Sequence, residues 1–503
     1  MFPLSTVHAA LENRSLEHPS KPLIHHHGDT YTYSDIQSFV ERFSAYLVSE
    51  GVKKGDHILL ALPRNPQMVI ALIAAGRIGA LAAPVNYMLN RSEVNGFIRT
   101  TKPSVLVATA RLFDLIDDDV MKSGVKAVAV GGEKAGAIPW DNAVSFGGQT
   151  AVVEGVGEIS YLNYTTGSTG RPKGALCTHE NIYWNTRAAV EAFNITQDDV
   201  HLCMFASFAH PHELFARPIY TGGAMALMEE ISPKAIVREI AAHGVTCLMG
   251  LAPMYKMMAE HCCGERIESL RVAESGGMYT MPEINHDFQR CFGVPILSVW
   301  GSTETTGVAI ANTMDAYRMD GSMGRPLPHY EIRVVDENGA EAGDGEIGEM
   351  LVKSGGVISS YYERDAALCV TDGWLHTGDL VRRGGDGFLY FVERTSGMLK
   401  IAGLKAYPAQ IEIEMLAHPA IASAAVIGVM DKLRGMTPMA FVTMKEGKTV
   451  DEDGIKSFLR QRIAAYMIPR KIEILDDLPK IGSGKINKKA LKETYLASKG
   501  ADE

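Results

Sequence analysis

The stretch Tyr164-Thr165-Thr166-Gly167-Ser168-Thr169-Gly170-Arg171-Pro172-Lys173-Gly174 is the densest in chemical meaning along the chain. It gathers hydroxyl side chains (Thr165, Thr166, Ser168, Thr169), glycines (Gly167, Gly170, Gly174) and one lysine, Lys173. The residues just before it, 159–164, alternate as a short strand would. A glycine-rich loop leaving a strand lets backbone N–H groups converge on an anion with no side chain in the way. A phosphate-gripping loop is therefore expected. It is not the G-x-x-x-x-G-K-[ST] arrangement, because Gly170 and Gly174 are spaced differently and no Gly-Lys-Ser/Thr follows. A flexible Ser/Thr/Gly linker has the same composition, and the stretch alone leaves both readings open.

The surroundings place that loop in an α/β protein. Residues 32–50 carry Ile36, Phe39, Val40, Phe43, Tyr46 and Leu47 at helical spacing and stop at Gly51. A buried strand is expected from His57 to Leu62, a helix over 66–78, a strand over 81–85, a helix over 91–100 and a strand over 105–108. Beyond the loop the rhythm continues: helices over 180–192, 233–243 and 254–262, strands over 224–228, 245–251, 269–274 and 294–299. Strands alternating with helices imply a parallel sheet with crossovers. Polar turns fall after strands at 164–174, 274–277 and 300–307, and ligands of open α/β sheets lie beyond the carboxyl ends of strands. Past residue 325 short strands joined by glycine turns suggest antiparallel pairing. A linker is expected near 393–397, followed by a last unit of strands and helices.

Composition narrows the classes. The chain has 503 residues, too many for one ordinary core, so two or three domains are expected. The net charge of −10, without a basic block, gives no nucleic-acid footprint. The seven cysteines are scattered without a C-x-x-C pair, so disulfides and zinc sites are not expected and a reduced, cytoplasmic setting is. The first residues lack a basic region followed by an apolar one, so no signal peptide is expected. The apolar run at 68–81 is too short to span a bilayer. His25-His26-His27 hints at metal, but three adjacent imidazoles on one strand converge poorly, and a solvated loop is the expectation.

Four further groupings carry chemistry. Trp300-Gly301-Ser302-Thr303-Glu304 puts an aromatic, hydroxyls and a carboxylate together, suited to a purine and to Mg²⁺ beside phosphates. Trp374-Leu375-His376-Thr377-Gly378-Asp379 sets an acid after a glycine turn, suited to ribose hydroxyls. Arg394 opens the linker, and Leu478-Pro479-Lys480-Ile481-Gly482-Ser483-Gly484-Lys485 offers a lysine on a glycine-hinged loop.

In this order the motifs resemble the adenylate-forming (AMP-binding) enzymes, in particular the acyl-CoA synthetase or acid:CoA ligase branch. The resemblance runs from Thr32-Tyr33-Ser34-Asp35 through Gly55-Asp56-His57 to Lys485, almost the whole chain. It implies a large N-terminal domain of α/β sheets, residues 1–393, with a small antiparallel β subdomain at about 325–393. A hinge at 394–397 and a small mobile α+β C-terminal domain, 398–503, would follow. It further implies that Thr165, Thr166, Gly167, Ser168, Thr169, Gly170 and Lys173 hold ATP phosphates, and that Thr165 and Glu304 flank Mg²⁺. Gly277, Met278 and Tyr279 would line one adenine face and Trp300, followed by Gly301, Ser302 and Thr303, the other. Asp379 and Arg394 would bind ribose, Lys485 would reach the carboxylate and α-phosphate, and His210 would stand at the acyl-pocket entrance. Lys400 and Gly403 would face the site in a second conformation that serves thioester formation.

The implied activity is ATP-dependent joining of a carboxylic acid to coenzyme A through an acyl-AMP, with ATP, Mg²⁺ and CoA as cofactors and co-substrates. A homodimer is compatible with it. Loading of a carrier-protein phosphopantetheine and a catalytically inactive nucleotide-binding regulator are the alternatives. There are three departures from the family pattern. Trp300 stands for a tyrosine, Gly397 for a hinge aspartate or lysine, making a looser pivot, and Glu213 for a frequent glycine, read as a solvated helix start. Gly301 stands where acetate-type members carry a tryptophan that closes the pocket, which points to a larger medium-chain, cyclic or aromatic acid.

Overall fold

The structure, a computed structural model, describes residues 2–122, 124–148, 150–165, 173–265, 267–362, 368–401, 404–431, 435–480 and 485–500. The chain divides into two compact units, Met1–Ile332 with Val352–Leu375, and Arg333–Leu351 with His376–Glu503. It is a mixed α/β protein. Among the described residues no helix is long and apolar enough to cross a membrane.

The first unit is built on two sheets. One runs Ile138–Pro139, Lys126–Val130, Val105–Thr109, His57–Ala61, Leu81–Pro84, Ile159–Thr165, Lys173–Thr178. Its central pairings are parallel, and the last one is an antiparallel hairpin. The other runs Arg325–Pro326, Gly307–Ala311, Ile296–Ser302, Val272–Ser275, Cys247–Gly250, Val200–Cys203, Ala224–Ala226, Pro22–His26, Asp29–Thr32. It is parallel in the middle and antiparallel at both edges.

Local chemistry explains the crossovers. Thr32 caps the helix Tyr33–Ser49 in a reciprocal box with Asp35, and Thr178 does the same with Asn181 for His179–Ala192. Ser232 and Pro233 start the helix that Gly244, at φ +61°, ends. The helix Pro66–Arg77 is apolar nearly all round and is accordingly buried, in a cluster that also holds Ile58 and Leu60 of one sheet and Leu23 and Ile24 of the other.

One sequence expectation is corrected here. Cys263 and Cys291, 28 residues apart, form a disulfide between the ends of the helices Ala252–Cys262 and Pro282–Phe292. The scattered cysteines conceal it because the pairing depends on how two helices pack, not on local spacing.

A third sheet, most of it in the second unit, has the order Glu331–Val335, Ile347–Lys353, Trp374–Arg383, with Leu389–Arg394 also paired to Trp374–Arg383. A further sheet runs Leu404–Ala406, Leu399–Ile401, Gly435–Met444, Ile421–Asp431, with Ile472–Ile474 on Gly435–Met444. The helices Pro408–Leu416 and Glu452–Arg460 bury Ile411, Met415, Ile455 and Leu459 in the same apolar cluster as Val426, Ala440 and Val442 of that sheet.

Candidate active site

The strand before the glycine loop does not simply open into it. Ile159–Thr165 returns as Lys173–Thr178 in an antiparallel pair whose register sets Tyr164 opposite Gly174 and Thr165 opposite Lys173. Both ends of the loop are thereby fixed side by side. Thr166, Gly167, Ser168, Thr169 and Gly170 lie outside the described residues. At the foot of the loop the Gly174 carbonyl accepts from the Tyr362 amide at 2.7 Å, and Tyr361 pairs with Ala175. The Lys173 ammonium stands 5.4 Å from the centre of the Tyr361 ring, whose hydroxyl donates to Glu304 Oε1 at 2.5 Å. Burial, and next the charge of Glu304, raise the Tyr361 pKa, so the phenol stays a donor. Sequence reading missed Tyr361, because no spacing ties the Tyr361-Tyr362 pair to a carboxylate 57 residues upstream. Glu304 is half-buried, its backbone carbonyl taken by the Ile358 amide at 2.9 Å. A carboxylate held at the base of the glycine-rich loop is the hard oxygen donor that Mg²⁺ selects, so this position fits the ion.

The turn bearing Glu304 is shorter than expected. Trp300, Gly301 and Ser302 belong to the strand Ile296–Ser302, which pairs antiparallel with Gly307–Ala311 through a bulge at Trp300/Gly301. Polar residues there read as a loop, but backbone pairing carries them into the sheet. Only 303–306 remain as turn, locked by Ser302 N–H to Thr305 Oγ1 (2.9 Å) and Thr305 N–H to Ser302 Oγ (3.2 Å). A Cβ on Gly301 would lie 2.2 Å from the Gly307 carbonyl oxygen. The bulged pairing therefore demands glycine at 301 whatever the acid, and the pocket-size argument from Gly301 falls away. Tyr279, partly exposed, follows the neighbouring parallel strand Val272–Ser275, where Gly277 takes φ +75° and the Ser275 and Thr280 hydroxyls meet at 2.7 Å. Trp300, Gly277, Met278 and Tyr279 thus lie at the carboxyl ends of adjacent strands.

The strand leading to the loop also positions His210. Asn163 Nδ2 donates to the Ala209 carbonyl at 2.6 Å, and Tyr161 Oη meets His212 Nδ1 at 2.7 Å. Asn185 Nδ2 donates to the Val308 carbonyl and to Tyr330 Oη, which leaves Asn185 Oδ1 to accept from His212 Nε2 at 3.2 Å. Tyr330 Oη then donates to the Thr305 carbonyl at 2.9 Å, next to Glu304. Burial, then the charge of Arg217, push His212 down to about 3, so it is neutral with Nδ1 as acceptor and Nε2–H as donor. Glu213 is corrected by this region. It is buried, 3.2 Å from Arg217 Nε, and Arg217 also binds Glu274 at 2.5 Å. The sequence could not show a guanidinium four residues on and a carboxylate on another strand.

In the second unit, Trp374–Asp379 runs as part of a strand and not as a glycine turn, although Gly378 takes φ +69°. Antiparallel pairing sets Asp379 opposite Arg394, and Arg394 Nε binds the fully buried Asp379 at 2.5 Å. Lys485 belongs to the same group. The residue as a whole is exposed, yet desolvation of its ammonium, and then the charge of Arg394, lower its pKa, with Asp379 opposing. Lys400 is exposed on the strand Leu399–Ile401, opposite Lys405, and Gly403 lies outside the described residues. Glu393 accepts from Arg394 N–H (2.8 Å) and from Ala409 N–H (2.7 Å) at the start of the helix Pro408–Leu416. A Cβ on Gly397 would sit 2.7 Å from Glu393 Oε1. The expected loose pivot is instead a glycine that leaves room for that carboxylate.

Comparisons place these features among known proteins. A profile of the AMP-binding enzyme family matches residues 11–362, and one of the AMP-binding enzyme C-terminal domain matches 410–485. Feruloyl-CoA synthase of an Amycolatopsis species is 29% identical over 484 residues, covering 95% of this chain and 96% of that protein. Indoleacetate–CoA ligase of Aromatoleum aromaticum is 29% identical over 493 residues, covering 96% and 95%. Among solved structures, the O-succinylbenzoate coenzyme A synthetase of Bacillus subtilis in complex with ATP and magnesium ion superposes with a TM-score of 0.86 at 26% identity, over 96% of this chain and 99% of that one.

Proposed function

The chain belongs to the AMP-binding enzyme family and is an AMP-forming acid–thiol ligase, and we propose that its acid is a medium-chain, cyclic or aromatic carboxylic acid joined to coenzyme A. The support for the acid class is the aromatic acids in the names of the two relatives, together with the apolar Phe205 and Phe208 close to His210 in sequence and Met254 in the helix Ala252–Cys262, which follows the strand paired to Val200–Cys203. The observation that carries the site is the Lys173–Tyr361–Glu304 grouping at the foot of the glycine loop.

In the first half-reaction a carboxylate oxygen attacks the α-phosphorus of ATP, the bond to the β-phosphate oxygen breaks, and pyrophosphate leaves. Lys173 and the loop backbone would grip the β- and γ-phosphates, so the loop holds the leaving group. Lys485 would offset the repulsion between carboxylate and triphosphate, a preorganised charge of the kind whose loss costs roughly 10²–10³ in rate. Glu304 would hold Mg²⁺ with Thr165, and the ion supplies charge neutralisation on the phosphates. Tyr361 keeps the Glu304 carboxylate oriented, while Asp379 and Arg394 would bind the ribose, Trp300 and Gly277–Tyr279 the adenine. In the second half-reaction the CoA thiolate attacks the acyl carbon and AMP leaves. Lys400 would serve this step after a rotation of residues 398–503 about 394–397 against residues 1–393.

A panel of acids of differing chain length and ring content, assayed for acyl-CoA with ATP, Mg²⁺ and CoA, tests the acid class. Highest kcat/KM on a ring-bearing or medium-chain acid is expected. Preference for acetate contradicts the class, and no acid-dependent pyrophosphate release contradicts the site assignment.

A further inference from the structure

Away from this site, the His25-His26-His27 run behaves differently from a solvated loop. His25 and His26 point to opposite faces of the strand Pro22–His26, as strand neighbours must, and His25 stacks on His243 at 4.6 Å. His27 and Gly28 form the two-residue connection to Asp29–Thr32, with His26 paired to Asp29. Both take positive φ, +51° and +86°, as such a tight hairpin requires. The left-handed turn brings the His27 ring to within 4.2 Å of the His26 ring, centre to centre.

Both imidazoles face one carboxylate. His26 Nε2 lies 3.0 Å from Glu229 Oε1, and His27 Nε2 lies 2.7 Å from Glu229 Oε2. The second approach is not a hydrogen bond, and Oε2 is buried without one. Nitrogen and oxygen are thus close without the geometry of a hydrogen bond. Glu229 is itself braced: the buried Arg64 donates Nη2 to the Glu229 carbonyl (3.1 Å) and Nε to that of Met228 (2.9 Å).

We propose that His26, His27 and Glu229 form a binding site for a borderline divalent transition ion such as Zn²⁺ or Co²⁺. The three ligand atoms lie within 4.8 Å of one another. Bonds of about 2.0–2.2 Å place tetrahedral ligand atoms roughly 3.3 Å apart, which a small rotation of the exposed His27 ring supplies. Two imidazoles and a carboxylate are the donor set these ions favour, with a fourth position left to water. The ion would clip the edge hairpin to the segment after Ala224–Ala226, a strand that Val200–Cys203 and Cys247–Gly250 separate from Val272–Ser275 in the sheet.

The test uses the untagged full chain, stripped with EDTA and free of ATP. Titration with ZnCl₂ by calorimetry, and with CoCl₂ by visible absorption, should show one ion per chain, low-coordination Co²⁺ bands and a rise in Tm. His27→Ala, at an exposed position, and Glu229→Gln should each weaken binding by about tenfold or more and remove the bands and the Tm rise. Absence of stoichiometric binding, or equal binding by wild type and both variants, overturns the proposal.

Discussion

Lys485 shows how one residue's surroundings set its working range. A lysine whose folded pKa is lowered by desolvation and by Arg394 loses its charge at a lower pH than a free lysine does. If the charged form assists adenylation, the alkaline limb of the acid-dependent rate falls below the ordinary lysine range, and Lys485→Arg moves that limb upward. A limb at the free-lysine position would show that the ammonium is not in this environment. Arg217 makes a different case. It is buried between Glu213 and Glu274, and Arg217→Ala would leave two carboxylates buried without their cation, a loss of about 3–5 kcal/mol. Chemical denaturation reads this directly, and a variant as stable as wild type would contradict the burial of the pair. None of this was legible at Glu213, where a charge beside two histidines in sequence reads as surface. Lys485, Asp379 and Glu304 could be singled out because their neighbours form ordered motifs, whereas Tyr361 has no motif of its own.

At the level of elements, caps and periodicity were well written in the sequence. Pro233–His243 begins and ends where Ser232, Pro233 and Gly244 require. Trp300–Ser302 was not, because polar residues look like a turn until the antiparallel partner Gly307–Ala311 is known. The hairpin return Lys173–Thr178 was hidden for the same reason. The segment after Leu389–Arg394 holds a further element-level device. Tyr407 supplies no side-chain cap to Pro408–Leu416, and Glu393 takes that role from the strand Leu389–Arg394 through Ala409 N–H. Glu393→Ala should therefore cost about 1–2 kcal/mol by releasing two amide donors, measurable as a lower unfolding midpoint for the second unit. An unchanged midpoint would mean that the two bonds contribute nothing.

For the whole molecule, buried histidines link stability to pH. Burial is the leading cause that lowers His8 to about 4 and His179, His201 and His212 to about 3 each. The unfolded chain takes up these protons near pH 6.5, while the folded one does not until far lower. The stability is therefore present above pH 6.5 and is lost as pH falls towards 3. At pH 5 this amounts to on the order of 2 kcal/mol per imidazole, enough to threaten a domain of ordinary stability. Tm should fall steeply between pH 7 and 5, and a flat profile would contradict neutral buried imidazoles. The change from strand–helix alternation to short antiparallel strands past residue 325 was legible in the sequence. The disulfide and the Glu213–Arg217–Glu274 group were not, since both depend on packing between distant segments.

The central claim, that the ordered residues make a carboxylate-activating site with Lys485 at the α-phosphate, is tested most directly by ATP–pyrophosphate exchange in the absence of CoA. Wild type should exchange only when a suitable acid is present, and Lys485→Ala should bind ATP normally yet lose roughly 10²–10³ of the exchange rate. Exchange that needs no acid, or that survives intact in Lys485→Ala, would contradict the account.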